Sequence, residues 1–336
     1  MLHNKCFYIL NIETEFNSGL FPVHINDNEI INNHFIKFDD YKYLRSQYSL
    51  EIVLHNMFKE HKNLINYYEN SDIVFIPIYL FCSAWSEKYF YDVNQVINKI
   101  NLILPLINNC VNDGKKVIIT YSDVMWEDNR CFLNHFNFHK NVYFVCYEDV
   151  ISNNNQIPVP YCTHIKKNPK DYIIPKNLNK KYLISYAGRH RPEINLFNNI
   201  EVLNTNKVID DKWISINNEK TYNEIDELYL NSHFSLQPHG DKQSRKGFYH
   251  SLLLGCIPVI FDDNYDVYKK VLEGIVNLED ISVILKKNET NFENTLNTEL
   301  LNIDVKIENI NKIKHLLLYD ENDLSIVDFI LNKIKF

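Results

Sequence analysis

The sequence has 336 residues, 45% of them hydrophobic, with 35 basic and 43 acidic side chains and a formal net charge of −8 at pH 7. A chain of this length and apolar content can bury a substantial core, and it favours two domains of ordinary size. The negative charge, with no run of Lys or Arg long enough to follow a phosphate backbone, argues against nucleic acid as a partner.

The chain starts with an apolar, strand-like run, Cys6–Leu10, and no basic segment followed by a long apolar stretch is visible. We therefore expect no membrane span and a cytoplasmic or otherwise soluble intracellular location. Heavy use of Asn, Ile, Lys and Tyr with few Gly and Ala fits an AT-rich genome, which suggests a microbial or viral source.

The seven cysteines are odd in number, scattered and mostly set inside apolar runs, a pattern that predicts reduced, buried thiols. The nearest Cys/His grouping, Cys162-Thr-His164, lacks the second ligand pair that a zinc site of known spacing needs. The sequence therefore predicts no metal site.

The first half of the chain alternates short apolar runs with helix-length segments. Cys6–Leu10, Asp72–Pro77, Lys116–Thr120 and Val142–Cys146 are the runs, and Val93–Val111 is an amphipathic stretch between the second and third. Continuous apolar runs of this kind predict buried parallel strands with crossover helices. We expect an N-terminal Rossmann-like domain over residues 1–160.

A polar stretch with several prolines, 152–175, reads as an interdomain connection. The α/β pattern then restarts, which predicts a second Rossmann-like domain over residues 175–305 and a cleft between the two. The predicted strands are 182–187, 213–216, 233–236 and 256–261, and the predicted helices are 192–200, 222–230 and 246–254. Apolar spacing in 307–336 predicts a C-terminal helix over 306–336 that packs across the domain junction.

Most of the functional information lies between Phe234 and Asp263. A predicted strand ends at Gln237-Pro238, a loop turns at Gly240-Asp241, and a helix begins near Ser244, which would cap it. Arg245 and Lys246 would then lie in the first turn, where cations oppose the helix dipole. Their position makes sense if a diphosphate lies between the dipole and the side chains. The alternative is that both are ordinary solvated charges.

This segment resembles the exostosin-like glycosyltransferase family, and more closely the branch containing plant xyloglucan galactosyltransferases. The shared pattern is Gln-Pro, Gly-Asp, Ser-Arg-Lys, an aromatic residue and then Gly255-Cys-Ile-Pro-Val. Weaker matches fall in the family's order, at 75–79, 157–161 and 182–192. The resemblance implies a GT-B fold, a nucleotide-sugar donor and transfer with inversion at the anomeric carbon. We expect the domain over residues 1–160 to be the acceptor side and the domain over residues 175–305 to bind the nucleotide sugar.

The donor-binding residues that this segment and the resemblance imply are Arg189, Arg191, Pro238, Gly240, Asp241, Ser244, Arg245, Lys246, Tyr249 and His250. For Arg189 and Arg191, which follow the first strand of the second domain, a role as surface arginines is an equal alternative. His250 departs from the family, which usually has Asp or Glu there. A neutral imidazole accepts ribose hydrogen bonds through one nitrogen only, which puts donor identity, affinity or activity in doubt.

Inverting transfer also needs a base for the acceptor hydroxyl. The loop after the predicted strand 116–120 offers Asp123 and Glu127, with a solvated or capping role as the alternative. Glu13 and Glu15 are further possibilities, and His24, His34 and His55 are expected to be structural. Asp262-Asp263 predicts a turn or cap rather than a metal site, so we expect metal-independent catalysis.

The sequence thus predicts an inverting glycosyltransferase that moves a sugar from a UDP-sugar, by resemblance UDP-galactose, to a glycan or glycoconjugate hydroxyl, with no tightly bound cofactor. The first alternative is a glycosyltransferase-like protein that binds a glycan or nucleotide but has lost turnover. The second is an α/β enzyme acting on another phosphorylated substrate. Family members often carry a membrane anchor and work in a secretory compartment, so the lack of an anchor predicts a different setting here.

Overall fold

The computed structural model describes residues 5–13, 16, 50–80, 93–122, 138–147, 155–163, 165, 170–176, 179–209, 212–215, 219–240, 243–289, 291–320 and 323–336. These residues form two compact units. The first unit contains the described residues up to Val159 together with 323–336, and the second unit contains those from Pro160 to Asp320. Several residues singled out above lie outside the described ranges: Glu15, His24, His34, Asp123, Glu127 and Asp241.

The first unit is built on five parallel strands in the order β1-β2-β3-β4-β5. Their bounds are Phe7–Ile9 for β1, Ile73–Ile76 for β2, Lys116–Thr120 for β3, Val142–Cys146 for β4 and Gln156–Pro158 for β5. Every residue of β2 and β4 is buried, which is why these strands appear in the sequence as continuous apolar runs. Helices α1, Leu50–Lys59, and α2, Val93–Asn112, belong to the same unit.

The second unit holds a parallel sheet of five strands in the order β7-β6-β10-β11-β12 and a separate antiparallel pair, β8 and β9. The sheet strands are β6, Tyr182–Gly188; β7, Ile200–Asn204; β10, Ser232–Leu236; β11, Ile257–Phe261; and β12, Val283–Leu285. The pair consists of β8, Asn206–Ile209, and β9, Lys212–Ser215.

The strand order of this sheet reverses next to β6. The chain goes outward from β6 to β7 and then returns to place β10 on the other side of β6, from which β11 and β12 follow in sequence. Phe234 in β10 accordingly pairs with Ile184 of β6 and Ile257 of β11. In doubly wound sheets ligands bind outside the carboxyl ends of the strands at such a reversal. The carboxyl ends of β6 and β10, called here the switch point, are therefore the place to look for a site.

The helices of the second unit follow the strands in alternation. They are α3, Glu219–Leu230; α4, Lys246–Leu253; α5, Tyr265–Leu272; α6, Phe292–Glu299; and α7, Ile303–Leu318. The buried Nζ of Lys180 donates to the carbonyl of Tyr229 in the last turn of α3 (3.5 Å), to that of Ser232 at the start of β10 (2.9 Å) and to that of Gly255 after α4 (2.7 Å). A cation at helix carboxyl termini satisfies carbonyls that have no partner in the helix.

Three sequence predictions need correction. Segment 192–200 is a 3₁₀-helix, Pro192–Leu196, followed by the strand β7, because Pro at the first helical position starts a turn that the next residues do not continue. The predicted strand at 213–216 is part of the β8–β9 pair rather than of the parallel sheet. Segment 306–336 contains two helices, since Tyr319 takes a left-handed conformation (φ 48°) that ends α7.

The second of these helices, α8, Ser325–Lys333, belongs to the first unit, where it packs on α1. Its carbonyls at Leu331 and Ile334 accept hydrogen bonds from Lys5 Nζ at 2.8 and 2.7 Å. The predicted fold class is confirmed, since both units are Rossmann-like α/β layers of the GT-B type. The assignment of the acceptor to residues 1–160 and of the donor to residues 175–305 stays a prediction.

Candidate functional site

The switch point is occupied by the side chain of Arg245. Helix α4 begins at Lys246, and Arg245 is its N-cap residue, with extended backbone (φ −140°, ψ 140°) and no capping bond from its side chain. The backbone N–H of Arg245 donates to Tyr268 Oη at 3.0 Å, which holds this extended conformation. The expectation that Ser244 caps the helix and that Arg245 lies in its first turn is therefore wrong by one residue. Ser244 is buried before the cap.

The guanidinium of Arg245 is held from two sides. Its Nη2 donates to the carbonyl of Ala187, at the carboxyl end of β6, at 2.9 Å, and its Cζ lies 4.9 Å from the centre of the Tyr186 ring. Its Nη1 is buried and has no hydrogen-bond partner among the described residues. Because arginine stays charged, a buried guanidinium nitrogen strongly favours an acceptor, above all an anionic oxygen. The sequence did not indicate these partners, which lie 58 residues away.

Gly188 leaves space for the Arg245 guanidinium because it has no side chain. Its φ is +154°, and a Cβ built on it would lie 2.5 Å from Arg245 Nη2 and 2.6 Å from Tyr186 Oη. No other residue fits this position without displacing one of the two side chains. Tyr186 Oη in turn donates to the carbonyl of Arg189, which fixes the start of the loop after β6.

Gln237, at the end of β10, provides a second buried polar group. Its Nε2 donates to Ser235 Oγ (3.2 Å) and Tyr229 Oη (3.3 Å), and its Oε1 is buried without a hydrogen-bond partner among the described residues. A Cβ on Gly247 would lie 2.8 Å from this Oε1, so glycine in the first turn of α4 lets helix and amide approach each other. Arg245, Gly188, Gln237 and Gly247 together are called the Arg245 site.

Lys246 and His250 lie one helical turn apart on α4 and both face α3. Lys246 Nζ lies 4.8 Å from the centre of the Tyr222 ring, and burial lowers the pKa of Lys246 to about 8. A lysine with this pKa loses part of its charge just above neutral pH, so the charge that it offers to a ligand depends on pH.

His250 is hydrogen bonded to Asp226 of α3, with His250 Nε2 and Asp226 Oδ1 2.7 Å apart. The imidazole is 4% exposed and the carboxylate 27% exposed. Burial lowers the pKa of His250, while the hydrogen bond to Asp226 opposes that shift. A carboxylate is thus present beside the position at which this chain departs from the family. Sequence reasoning missed Asp226, although its spacing of four residues from Tyr222 puts both on the face of α3 that meets α4.

The other predicted donor-binding residues lie at or near the same edge of the sheet. Arg189 and Arg191 are half-buried and follow β6, and Arg191 is the N-cap of the 3₁₀-helix after it. Pro238 is buried and Gly240 half-buried in the loop after β10. Tyr249 is fully buried, with its ring 5.1 to 6.2 Å from those of Phe248, Tyr161 and Tyr268. The role of each as a donor-binding residue stays a prediction.

The candidate bases of the first unit are less well placed. Asp123 and Glu127 lie outside the described ranges, and Glu13 is exposed after β1. His55 is buried on α1 with its Nδ1 2.8 Å from Tyr79 Oη, which fits the structural role expected for it. Across the part of the chain that the structure describes, no group of three His, Cys, Asp or Glu side chains is arranged to hold a metal ion.

The two Rossmann-like units, each built on a parallel sheet, are those of a protein of the GT-B class. Comparison with protein families matches residues 2–300 to the exostosin GT47 domain. The chain therefore belongs to the exostosin GT47 family of glycosyltransferases, as its motifs suggested.

The curated proteins that resemble this chain are plant enzymes of xyloglucan synthesis from Arabidopsis thaliana. Xyloglucan galactosyltransferase MUR3 is 22% identical over 66% of this chain and 40% of its own length. Xyloglucan-specific galacturonosyltransferase 1 is 27% identical over 81% of this chain and 42% of its own. The probable xyloglucan galactosyltransferase GT13 is 22% identical over 80% and 61%. The chain thus spans less than two thirds of the length of each of these relatives.

Solved structures of two proteins align with most of the chain at low similarity. An alpha-glucosyltransferase in complex with UDP is 12% identical, with a TM-score of 0.35, over 79% of this chain and 82% of that one. TarM is 13% identical, with a TM-score of 0.31, over 88% and 59%.

The predicted cytoplasmic or otherwise soluble intracellular location is wrong. It rested on the absence of a leader or anchor from this sequence, whereas the chain belongs to a family whose members often carry an anchor and work in a secretory compartment. The relatives are also much longer than the matched part, so this sequence gives no view of their remaining segments. Of the helices in the described ranges, none has the length and apolar character needed to cross a membrane.

Proposed function

We propose that this chain is an inverting glycosyltransferase that moves a sugar from a UDP-sugar to a hydroxyl of a glycan or glycoconjugate. UDP is the nucleotide that the family resemblance implies, and UDP-galactose is the donor to test first because several relatives are named galactosyltransferases. Inversion, the nucleotide and the sugar are parts of the proposal.

One observation carries it. The Arg245 guanidinium lies at the switch point with Nη2 fixed on Ala187 and with Nη1 buried and lacking a hydrogen-bond partner among the described residues. The orientation of the guanidinium is set before a ligand arrives, so little side-chain entropy is lost on binding. A diphosphate oxygen bonded to Nη1 would satisfy that donor and neutralise the buried charge.

The same contact would serve the chemical step. When the bond between the sugar and the diphosphate breaks, negative charge grows on the departing oxygen. A fixed guanidinium, with Lys246 in the first turn of α4, would stabilise that charge. Metal-independent catalysis is a part of the proposal, in which these two cations are the groups that supply positive charge.

The proposed site is tested first by binding. Isothermal titration with UDP, and with GDP and ADP for comparison, is carried out on wild type, Arg245→Ala and Arg245→Lys. Losing a charge-assisted hydrogen bond costs about 1.5 to 3 kcal/mol, so UDP affinity should fall about tenfold to a hundredfold in Arg245→Ala. Arg245→Lys keeps the positive charge but lacks the planar guanidinium with its paired N–H donors. It should therefore recover only part of the lost UDP affinity.

Lys176→Ala is the matched control, because it removes an exposed cation of the same unit, paired with Glu308 at 3.3 Å, and should leave UDP affinity unchanged. If the wild type and Arg245→Ala are both folded and bind UDP with equal affinity, the proposed site is refuted.

A protein that has lost turnover is the second candidate, and the observation that favours it is His250, bonded to Asp226, at the position where the family usually has an acid. A hydrolysis assay with UDP-galactose separates the two candidates. Release of UDP from UDP-galactose, by hydrolysis or by transfer to an acceptor, excludes the binding-only candidate. If the protein binds UDP but cleaves no UDP-hexose, the result favours the candidate that has lost turnover. His250→Asp is a poor rescue variant, because it would place a second carboxylate against Asp226.

A further inference from the structure

A second polar group stands along the same edge of the sheet, built by three loops. His239 follows β10, Asp263 follows β11 and Lys287 follows β12, so each comes just after the carboxyl end of a neighbouring strand. Asp263 Oδ2 bonds to Lys287 Nζ and lies 3.2 Å from His239 Nε2. These three residues are called the Asp263 cluster. Sequence reasoning gave Asp263 only a turn or capping role, whereas its side chain joins three loops.

The carboxylate of the Asp263 cluster is oriented and still open to solvent. Both protein contacts use Oδ2, and the side chain of Asp263 is 35% exposed. Burial would raise the pKa of Asp263, but the hydrogen bond from Lys287 and the nearby charges outweigh it and hold the pKa below its usual value. Asp263 therefore presents a fixed, ionised oxygen, Oδ1, that accepts hydrogen bonds.

The cluster lies next to the Arg245 site. Asn264, the residue after Asp263, donates from Nδ2 to the carbonyl of Gln237 at 3.5 Å, and Tyr268 on the following helix accepts the backbone N–H of Arg245. Neighbouring strands lie about 4.8 Å apart, so the end of β11 is about one strand spacing from β10 and two from β6. A group bonded directly to a diphosphate on Arg245 would reach this distance.

Stability alone gives little reason for the cluster. All three side chains are roughly one third to one half exposed, and ion pairs of that exposure contribute about 0 to 1 kcal/mol. A sugar has the complementary chemistry, since its ring is bonded directly to the diphosphate and carries several hydroxyl donors. Asp263 Oδ1, which neither His239 nor Lys287 contacts, can accept hydrogen bonds from such hydroxyls through its two lone pairs.

We propose that Asp263, oriented by His239 and Lys287, accepts hydrogen bonds from the hydroxyls of the donor sugar and so distinguishes a UDP-sugar from UDP. The inference rests on the proposed function, in which the Arg245 site binds the diphosphate. His239 and Lys287 are positioning residues, because they act on the ligand through Asp263.

The test compares two ligands on the same protein. Isothermal titration measures the affinity for UDP and for UDP-galactose, UDP-glucose and UDP-galacturonic acid in wild type and in Asp263→Ala. The preference for the best UDP-sugar over UDP should fall about tenfold in Asp263→Ala, as expected when a charged hydrogen-bond partner is lost, while UDP affinity changes less than about twofold. His239→Gln should lower the same preference by a smaller factor.

Glu308→Ala is the matched control, since it removes an exposed carboxylate of the same unit that is also paired with a lysine. Both affinities should stay unchanged in it. Asp263→Asn, which keeps the side-chain shape, replaces Asp263→Ala if the alanine variant does not fold, and its preference should fall in the same direction.

The possible failures differ from one another. UDP binding that depends on Arg245, with a sugar preference unchanged in Asp263→Ala, overturns this inference and leaves the proposed function standing. An equal loss of affinity for UDP and for the UDP-sugar in Asp263→Ala also overturns it, because Asp263 would then affect binding of the UDP part at the Arg245 site. A wild type that binds UDP and every UDP-sugar equally overturns it too, and a wild type that binds no UDP overturns both proposals.

Discussion

The buried polar groups at the carboxyl edges of the two sheets differ in whether they have hydrogen-bond partners. In the first unit, the buried carboxylate and imidazole side chains have partners among the described residues, although the neutral hydroxyl of Thr120, at the end of β3, is buried without one. Fully buried Glu51 accepts a hydrogen bond from the N–H of Ser122 and donates its own N–H to Ser122 Oγ, while His55 bonds to Tyr79. In the second unit, Arg245 Nη1 and Gln237 Oε1 are buried with no hydrogen-bond partner among the described residues.

This difference shows two roles that polar groups can have at the carboxyl edge of a parallel sheet. Pairs such as Glu51 with Ser122 join helix α1 to the end of β3, and their energy goes into holding the unit together. A guanidinium with a buried donor that has no partner costs stability unless something else bonds to that donor. Under the proposed function a ligand supplies that bond at the second edge, whereas Glu51 and His55 at the first edge bond within their own unit.

The largest effect that bears on this contrast is expected from Gly188→Ala. The new Cβ would strain a positive φ and collide with Arg245 Nη2 and Tyr186 Oη, so we expect a loss of about 2 to 4 kcal/mol in unfolding free energy. UDP affinity should fall at least tenfold because the guanidinium has to move. Urea denaturation and titration calorimetry measure the two effects.

Gly114→Ala is the control for backbone strain. Gly114 also has positive φ (+79°), but nothing lies within 4 Å of a Cβ built there. It should cost only about 1 kcal/mol and leave UDP affinity intact. A Gly188→Ala variant that behaves like Gly114→Ala would show that the Arg245 side chain is not held as described.

The next effect is the pH dependence of stability in the first unit. Burial, with a smaller effect of Lys59, lowers the pKa of His55 from 6.5 to about 4, so the unfolded chain takes up the proton before the folded one does as pH falls. The stabilising contribution is complete above pH 6.5 and is lost as pH falls towards 4. Between pH 7 and pH 5 it should decrease by about 2 kcal/mol.

Urea denaturation at pH 7 and pH 5 checks this, with His55→Gln as the comparison because glutamine keeps a polar side chain without the titration. The variant should lose about 2 kcal/mol less than wild type over this range. The same loss in both proteins would assign the acid sensitivity to other groups.

The smallest effect is expected from Ser122→Ala. It removes the oxygen that accepts the N–H of Glu51 at 3.3 Å and should cost about 1 kcal/mol in unfolding free energy. UDP affinity should not change. A threefold or greater change in UDP affinity would place the first unit's edge in donor binding and would end the contrast between the two edges.

Buried strands were predictable from the sequence and exposed ones were not. Ile73–Ile76 and Ile257–Phe261 are buried throughout, so each appears as an uninterrupted apolar run. Strand β7, Ile200–Asn204, lies at the edge of its sheet with every residue at least partly exposed, and it therefore lacks that pattern. The proline before it favoured a helix instead.

The candidate site was predictable only where its residues are close together in the sequence. The loop and the basic pair at Arg245 were predicted because a strand end, a glycine turn and two cations coincide in one short segment. The partners of Arg245 could not be predicted, because Ala187 comes beside it only through the β7-β6-β10 strand order. The Asp263 cluster was missed for the same reason, since its three members come from three successive loops.

Helix α8 completes the first unit although it comes after the whole second unit in the sequence, which has a consequence for the order of folding. Lys5 reaches the carbonyls of Leu331 and Ile334, so these contacts join positions separated by 326 and 329 residues. During synthesis all of Pro160–Asp320 precedes helix α8, so much of the second unit's chain has emerged from the ribosome while the first unit still lacks this helix. The apolar surface of α1 that α8 covers then remains exposed until α8 itself has emerged, and in that interval a chaperone would have most to shield.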